Sequence, residues 1–487
     1  MSKATQLAFN GGEFTEFMDA RVDTAKYSKG CRTLENMNVL PYGAATARPG
    51  TKFGGEINDS SQPTRLIPFV FSDTTTFHIE MSKNFFRFWK DGELVESSPG
   101  VPYVLNISIS PIVNNAEEIF DVHFEQINDV VYMTAPNRQH RILTRLADDN
   151  WSLGKFNYGL PRNPPLGGLE DDVIGGIDVT SGDSWQFLDS VNLNSAVSYF
   201  TADHVGSYIQ LEEENDVEGF MDATSSNVAV FYANGSWTVT TEGTGSFEFY
   251  IDTNGGELLW KRYGEYKVVG TQRNRIISGT TSKPTWIRIT VKPSASGSSR
   301  IVYESDQAYK SSLYKITSFV DDENVSATVQ FPSNPDQTPL VRTDRLRLSY
   351  FSNFKGWPTS VCLYKNRLCL AKGDIYLSAS GDYQNFTSNT LADGSFVIPL
   401  RKSGSPLVKW MQNLRELRVG MTSDEVVVTQ ENVAEGFSYK NYYARFDTSY
   451  GSLPIKPEIV NGSLLFVTND AETLRHQIIT GIENYYD

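Results

Sequence analysis

The chain has 487 residues, 39% hydrophobic, 12% aromatic and 21% charged, enough apolar material for two or three cores and too mixed for disorder or a collagen-like repeat. Its 43 basic against 58 acidic residues leave a net charge of −15, which argues against a protein that grips nucleic-acid phosphates by counterion release. No stretch approaches the roughly 20 apolar residues that span a bilayer, and the opening MSKATQLAFNGG lacks the basic-then-apolar layout of a signal peptide, so a cytosol-like compartment is expected.

The 24 Tyr and 28 Phe, with abundant Thr, Val and Ile, predict an all-β chain with little helix, because β-branched and aromatic side chains fit a pleated surface. Cys31, Cys362 and Cys369 are odd in number and show no CxxC spacing, so three buried free thiols are expected rather than a disulfide framework or a zinc site.

Residues 1–60 read as an amino-terminal arm with one short helix. Their apolar residues are irregularly spaced among Gly and polar residues. Asp23 is the expected cap of a helix over Lys26 to Met37, weakened by Gly30 within it at about 1 kcal/mol. Pro41-Tyr42-Gly43 and Pro49-Gly50 predict turns, and a strand is expected from Thr51 to Ile57.

From Arg65 the pattern changes to short alternating strands, with Asp91-Gly92 as a hairpin signal. In FFRFWK, alternation puts Phe86 and Phe88 on one face and Phe85, Arg87 and Trp89 on the other. The cadence returns at VHFEQINDVVYMTAPNRQHRILTRL, SVCLYKNRLCLAKGDIYLSASGDYQNF, LVKWMQNLRELRVGMTSDEVVVTQ and EIVNGSLLFVTNDAETLRHQII. A four-stranded meander recurring every 40 to 50 residues or so predicts a β-propeller-like core, built from 61–165 and 346–487. Two stacked β-sandwich domains are the alternative, since they share that strand spacing.

Residues 166–345 interrupt the cadence after Pro161-Arg162-Asn163-Pro164-Pro165. Two inserted modules are expected there. Segments 185–233 and 300–332 would close a small β-barrel around a β-sandwich at 234–296, which alternates strictly and carries an Asn254-Gly255 turn.

Motifs for chemistry are sparse. The sequence has no GxSxG, HExxH, P-loop, GxGxxG after a strand, or EF-hand spacing, and no catalytic, cofactor or metal residues are assigned. His78, His123, His140, His204 and His476 are scattered singly and read as structural or surface residues. The runs Glu212 to Glu214 and Asp321 to Glu323 lack the alternate spacing that turns carboxylates onto a calcium ion and read as solvated turns. SGDYQNF (380–386) and DTNGGELLW (252–260) loosely match an Asp-box hairpin and read as turns that tuck an aromatic under a sheet.

Two stretches carry a family likeness: LAFNGGEFTEF with ARVDTAKYSKGCRTLENMNVLPYGAATARPGTKF, and GWPTSVCLYKNRLCLAKGDIYLSASGDYQNF. They resemble the nozzle proteins of short-tailed bacteriophages, the tail tubular protein B group, across about Leu7 to Val95 and Leu346 to Thr468. The resemblance implies a structural virion protein, not an enzyme. It implies a homo-hexameric tube below the portal adaptor ring, in the virion tail, assembled in the host bacterial cytoplasm. Double-stranded DNA would pass through its lumen without specific binding, other tail proteins (distal tip, fibres) would attach, and the host envelope would be met transiently. Members of that family continue into further β-rich tip segments where this sequence ends at Tyr485-Tyr486-Asp487, so another gene product is expected to supply the distal part. By the same analogy Asn10, Gly11, Gly12, Glu13 and Arg21 are the expected contact with a neighbouring subunit or the adaptor: the glycines allow close backbone approach and Arg21 offers a planar fork. The competing class is a host-surface carbohydrate-binding or depolymerase tail protein, with the glycan held by the inserted sandwich, where Trp237 and Trp260 are the residues to substitute, or by the propeller face, where Phe85, Phe86, Phe88, Trp89 and Trp357 are the aromatics that could stack on sugars but are explained by packing between blades.

Overall fold

The computed structural model describes residues 6, 8–158, 164–170, 173, 175–181, 188–214, 218–223, 227–233, 236–243, 245–252, 260–268, 275–281, 285–293, 299–305, 309–331, 342–387, 391–400, 407–460 and 462–477. It is nearly all β, in many separate sheets. Two compact units, Met1–Glu56 and Ile57–Asp487, divide the chain.

In the first unit the expected helix over Lys26 to Met37 is absent. Tyr27–Lys29 forms one 3-10 turn, Gly30–Cys31 pairs in parallel with Gly12–Glu13, and Met37–Val39 forms a hairpin with Ala45–Ala47. The reason is steric: the Phe14 ring lies on Gly30, where a Cβ would sit 2.1 Å from its Cζ, and Gly30 is extended rather than helical. The strand expected from Thr51 to Ile57 is also missing, for no partner strand pairs with that stretch.

In the second unit, strands of alternating burial form antiparallel meanders. The first sheet holds Arg65–Val70, Thr76–Met81, Phe85–Lys90 and Val104–Asn106, with Glu93–Leu94 added through a turn at Asp91 and Gly92, both at positive φ. The second runs His123–Ile127, Val130–Ala135, Arg138–Ala147, Asn150–Lys155. Phe86 and Phe88 face one core shared by these two sheets, as the alternation requires, and Trp151 stacks on Phe88 at 4.3 Å. On the opposite face of the first sheet Glu80 is buried and accepts from Arg87 and from Trp89 Nε1.

The third sheet (Ser360–Tyr364, Arg367–Ala371, Ile375–Leu377, Phe396–Ile398) and the fourth (Val408–Asn413, Leu417–Met421, Glu425–Thr429, Tyr443–Thr448) share a second core that includes Cys362, Cys369, Val419 and Val428. A fifth, three-stranded sheet (Glu458–Val460, Ser463–Val467, Leu474–Gln477) meets the fourth through Trp410, Leu464 and Phe466. The first and second sheets, the third and fourth, and the fourth and fifth thus pack in pairs, and Tyr132 of the second shares a cluster with Val361, Leu368 and Leu370 of the third and with Tyr208, Leu313 and Phe331 of the insertion. None of the buried apolar clusters among the described residues joins the fifth sheet to the first.

Trp410 lies flat across the neighbouring strand because Gly420 has no side chain there; a Cβ on Gly420 would sit 2.1 Å from the indole. Gly420→Ala is expected to cost about 2–4 kcal/mol by displacing that buried ring. Urea unfolding of the variant reads the loss, and an unchanged midpoint would place the ring elsewhere.

The insertion differs from the expected boundaries. A seven-stranded sheet uses Leu166–Leu169, Leu346–Ser349, Tyr208–Glu214, Tyr309–Phe319, Asn324–Phe331, Ser190–Ser195 and Ile177–Ser181, in that spatial order. Among the described residues its ladder does not close as the expected barrel would, although one bridge, Ile177 to Thr343, links the last strand to the lead-in of the second. The sandwich spans Glu218–Ser305 rather than 234–296. One sheet orders Glu218–Ala223, Ser299–Ser305, Ser236–Gly243 and Arg275–Thr280; the other orders Asn227–Ala233, Thr285–Pro293, Gly245–Asp252 and Trp260–Val268. The Asn254-Gly255 turn lies outside the described residues, as does most of the Pro161–Pro165 run.

Candidate functional site

The sequence directed attention to Asn10, Gly11, Gly12, Glu13 and Arg21. Asn10 sits in a turn, and the Gly11 N–H donates to Lys29 O at 2.7 Å, so close that a Cβ on Gly11 would lie 2.9 Å from that carbonyl. Gly12 takes φ +74° and Glu13 accepts from the Leu34 N–H at 2.7 Å. The close approach that the glycine pair permits is thus made to 29–31 of the same unit. The Arg21 fork is engaged by Asp23 through two bonds of 2.8 Å. The residues Asn10 to Glu13 are brought together; Arg21 belongs to a separate turn.

Several large apolar residues of this unit lie on its surface among charged ones, which irregular spacing concealed. Phe17 is 94% exposed, Val22 78%, Tyr42 80% and Phe53 78%, and Met37 and Val39 are exposed on one face of their strand. No residue of 1–56 belongs to any of the buried apolar clusters among the described residues. Seven basic and six acidic residues fall here, a balance of +1, which leaves 36 against 52, or −16, for 57–487.

Elsewhere the polar clusters are structural. Glu212, expected in a solvated turn, lies in a strand and is buried; Arg347 Nε donates to its Oε1 at 2.7 Å and Arg345 Nη2 to its Oε2 at 3.2 Å. Removing that charge by Glu212→Gln is expected to destabilise the inserted sheet by about 2–4 kcal/mol, since two partly buried guanidinium groups lose their counter-ion. Thermal unfolding followed by proteolysis within 166–345 checks it; unchanged resistance would contradict it. Asp321 does lie in a turn, accepting from the Glu323 N–H and Asn324 Nδ2. Among the described residues no three His, Cys, Asp or Glu side chains converge as a metal site.

His123 and His140 are buried. His123 Nε2 lies 3.1 Å from Pro454 O, and burial pushes its pKa down to about 4, with Lys456 and Arg65 also disfavouring the cation. His140 Nε2 pairs with Tyr158 Oη at 3.3 Å inside a cage of Phe156, Phe351 and Trp357; burial pushes its pKa down to about 3, with Arg141 adding to the effect. His204 accepts the Thr201 N–H at Nδ1 and stacks on Phe354 at 4.0 Å, and its pKa is also lowered by burial. His78 and His476 are exposed. Cys362 and Cys369 are buried thiols opposite one another on adjacent strands, both with raised pKa from burial; Cys31 is half-buried, and all three are free.

The 380–386 loop tucks Phe386 into the core, with the Asn385 N–H on Asp382 O and the Ala379 N–H on Asn385 O. Residues 253–259 of the second such match lie outside the described residues. Trp237 is 3% exposed in the sandwich core, its ring covering Gly279, and offers no face to a sugar; nothing is described of the Trp260 side chain.

The residue that sequence reading missed is Arg367. It is buried, and among the described residues its guanidinium donates only to main-chain carbonyls: Nη1 to Ser378, Asp393 and Gly394 (2.8, 3.1 and 2.6 Å), and Nη2 to Ala392 and Phe437 (3.0 and 3.4 Å). It ties the third sheet to a loop of the fourth. A second missed signal is the repeat Tyr383-Gln384-Asn385-Phe386 and Tyr439-Lys440-Asn441-Tyr442, which recurs between the third and fourth strands of these two sheets. Asn441 there is buried, its Nδ2 donating to the carbonyls of Asn432, Glu435 and Gly436.

No protein-family profile and no curated protein matches the chain. Among solved structures it is weakly similar to an α-xylosidase from Xanthomonas citri, at 9% identity and a TM-score of 0.12, over 60% of this chain and 38% of that one. An exo-β-1,3-galactanase from Phanerochaete chrysosporium gives 12% identity and a TM-score of 0.15, over 60% and 73%. A structure of infectious bursal disease virus gives 7% and 0.14, over 59% and 85%. The chain spans well under half of the xylosidase, and likeness at this level carries neither a fold nor an activity. No helix among the described residues is long and apolar enough to cross a bilayer.

Proposed function

We propose that the chain is a structural, non-catalytic virion protein that forms the tail nozzle of a short-tailed phage, a channel for DNA ejection into the host. The observation that carries the reading is the pairing of a coreless amino-terminal unit, with its large apolar residues on the surface, with an acidic body of stacked β sheets. Such a pairing suits a component that is completed by assembly. The resemblance at Leu7 to Val95 and Leu346 to Thr468 supplies the kind of assembly: a propeller-like core, a hexameric ring, a portal adaptor above and other tail proteins below. A −16 body suits a lumen that duplex DNA traverses without sticking, because each phosphate contact retained would slow transit. The carbohydrate-binding alternative is weakened by the burial of Trp237.

Deleting Met1–Thr24 tests the reading. The body is expected to keep its β spectrum and melting temperature, while ring assembly or docking to the adaptor is lost. A truncated chain that assembles as well as the intact one would remove the arm from the contact, and tight, selective binding on a glycan array would move the function to the other class.

A further inference from the structure

We infer that the apolar surface carrying Phe17, Tyr42 and Phe53 is buried against the acidic body of a second copy of this chain. The inference rests on packing and charge in this molecule and stands without the nozzle reading. Residues 8–56 are held by two-residue parallel strands, single 3-10 turns and one three-residue hairpin. An isolated hairpin is marginal in water unless its apolar face is covered. Here Met37 and Val39 share that face with their cross-strand partners Ala47 and Ala45. Within the unit, the Phe14 and Tyr27 rings stack with centroids 6.3 Å apart, leaving Phe17, Val22, Tyr42 and Phe53 turned to solvent.

The charge pattern selects the occupant. Thr24 to Leu34 holds Lys26, Lys29 and Arg32 with no acid, and Pro41 to Gly55 holds Arg48 and Lys52 with no acid, so the stretches bearing Tyr27, Tyr42 and Phe53 are locally cationic, whereas Glu13, Glu16, Asp19 and Asp23 outnumber Arg21 around Phe17, which adds apolar area and no positive charge. Two bodies of −16 repel each other, whereas a cationic, aromatic strap from one copy laid on the body of the next is attractive in both terms. Aromatic side chains flanked by basic residues are also the kind that dominate association energies.

The test uses the full chain and the triple variant Phe17→Ser, Tyr42→Ser, Phe53→Ser. All three side chains are exposed, so the melting temperature of the body is expected to stay unchanged. Sedimentation equilibrium and amide hydrogen exchange are followed over a hundredfold range of protein concentration. The inference expects self-association whose dissociation constant rises at least tenfold in the variant, weakens with salt, and is accompanied by exchange protection in 6–56 that grows with concentration. A chain that stays monomeric throughout, an association indifferent to the triple substitution, or protection of 6–56 that is already complete in the monomer would each overturn it. A salt-sensitive dimer formed through this surface keeps the inference and ends the sixfold reading, which separates the two failures.

Discussion

Replacing Arg367 by Met is expected to destabilise the body by about 4 kcal/mol or more, among the largest effects of any single substitution in the chain. The methionine fills much of the space but leaves the buried carbonyls of Ser378, Gly394 and Phe437, and the partly buried ones of Asp393 and Ala392, without the cation that now satisfies them. Each buried acceptor left unpaired costs about 1–3 kcal/mol, less where relaxation lets water in. Arg367→Lys should fall between the two, because one ammonium cannot reach carbonyls on both sides of a planar fork. The ring of Phe396, 5.2 Å from the guanidinium carbon, still stacks on a lysine stem, so part of the packing survives. Urea titration of the three proteins gives the order wild type, Lys, Met; a methionine variant as stable as the wild type would show that these carbonyls find other partners.

The second large effect is on the acid limb of stability. His123 and His140 have folded pKa values depressed to about 4 and about 3, below the usual 6.5 of the unfolded chain. The stability they represent is fully present above pH 6.5 and is lost as pH falls toward the folded values, because only the unfolded chain takes up the protons. Each contributes a slope of up to about 1.4 kcal/mol per pH unit, so the pair gives about 3 kcal/mol per unit between pH 6 and 4.5. His204, depressed by burial as well, steepens the same limb. In His140→Phe the new ring sits among Phe156, Phe351 and Trp357, while the Tyr158 hydroxyl loses a partner. That variant is expected to lose about 1 kcal/mol at pH 7.5 and to shed up to about 1.4 kcal/mol per pH unit of the slope. A slope unchanged by the substitution would mean that His140 is protonated in the folded protein.

What the sequence made legible follows periodicity. Alternation in Phe85 to Lys90 put Phe86 and Phe88 on the buried face, and Asp91-Gly92 marked the turn because both residues take positive φ there. The recurring meanders in 61–165 and 346–487 are present as separate four- and five-stranded sheets and one of three strands. Where contacts distant in sequence decide, reading along the chain failed. Lys26 to Met37 has helical residues, yet the packing of Phe14 on Gly30 holds it open. Glu218–Ala223 and Asn227–Ala233 fall in the segment 185–233 expected to form the barrel, but they belong to opposite sheets of the sandwich, a choice that no local pattern encodes. Arg367 was invisible because its partners are main-chain carbonyls, which leave no mark on side-chain spacing. The candidate contact shows the same division. The glycine pair signalled a close backbone approach, which is made within the unit, whereas exposed Phe17, Tyr42 and Phe53 are read only once it is clear that no strand partner covers them.

The symmetry of the assembled chain tests the central claim most directly. Class averages from electron microscopy of the purified protein at high concentration, with the portal adaptor added in a parallel sample, are expected to show sixfold rings around a central hole; a compact trimer, with or without the adaptor, would contradict the nozzle.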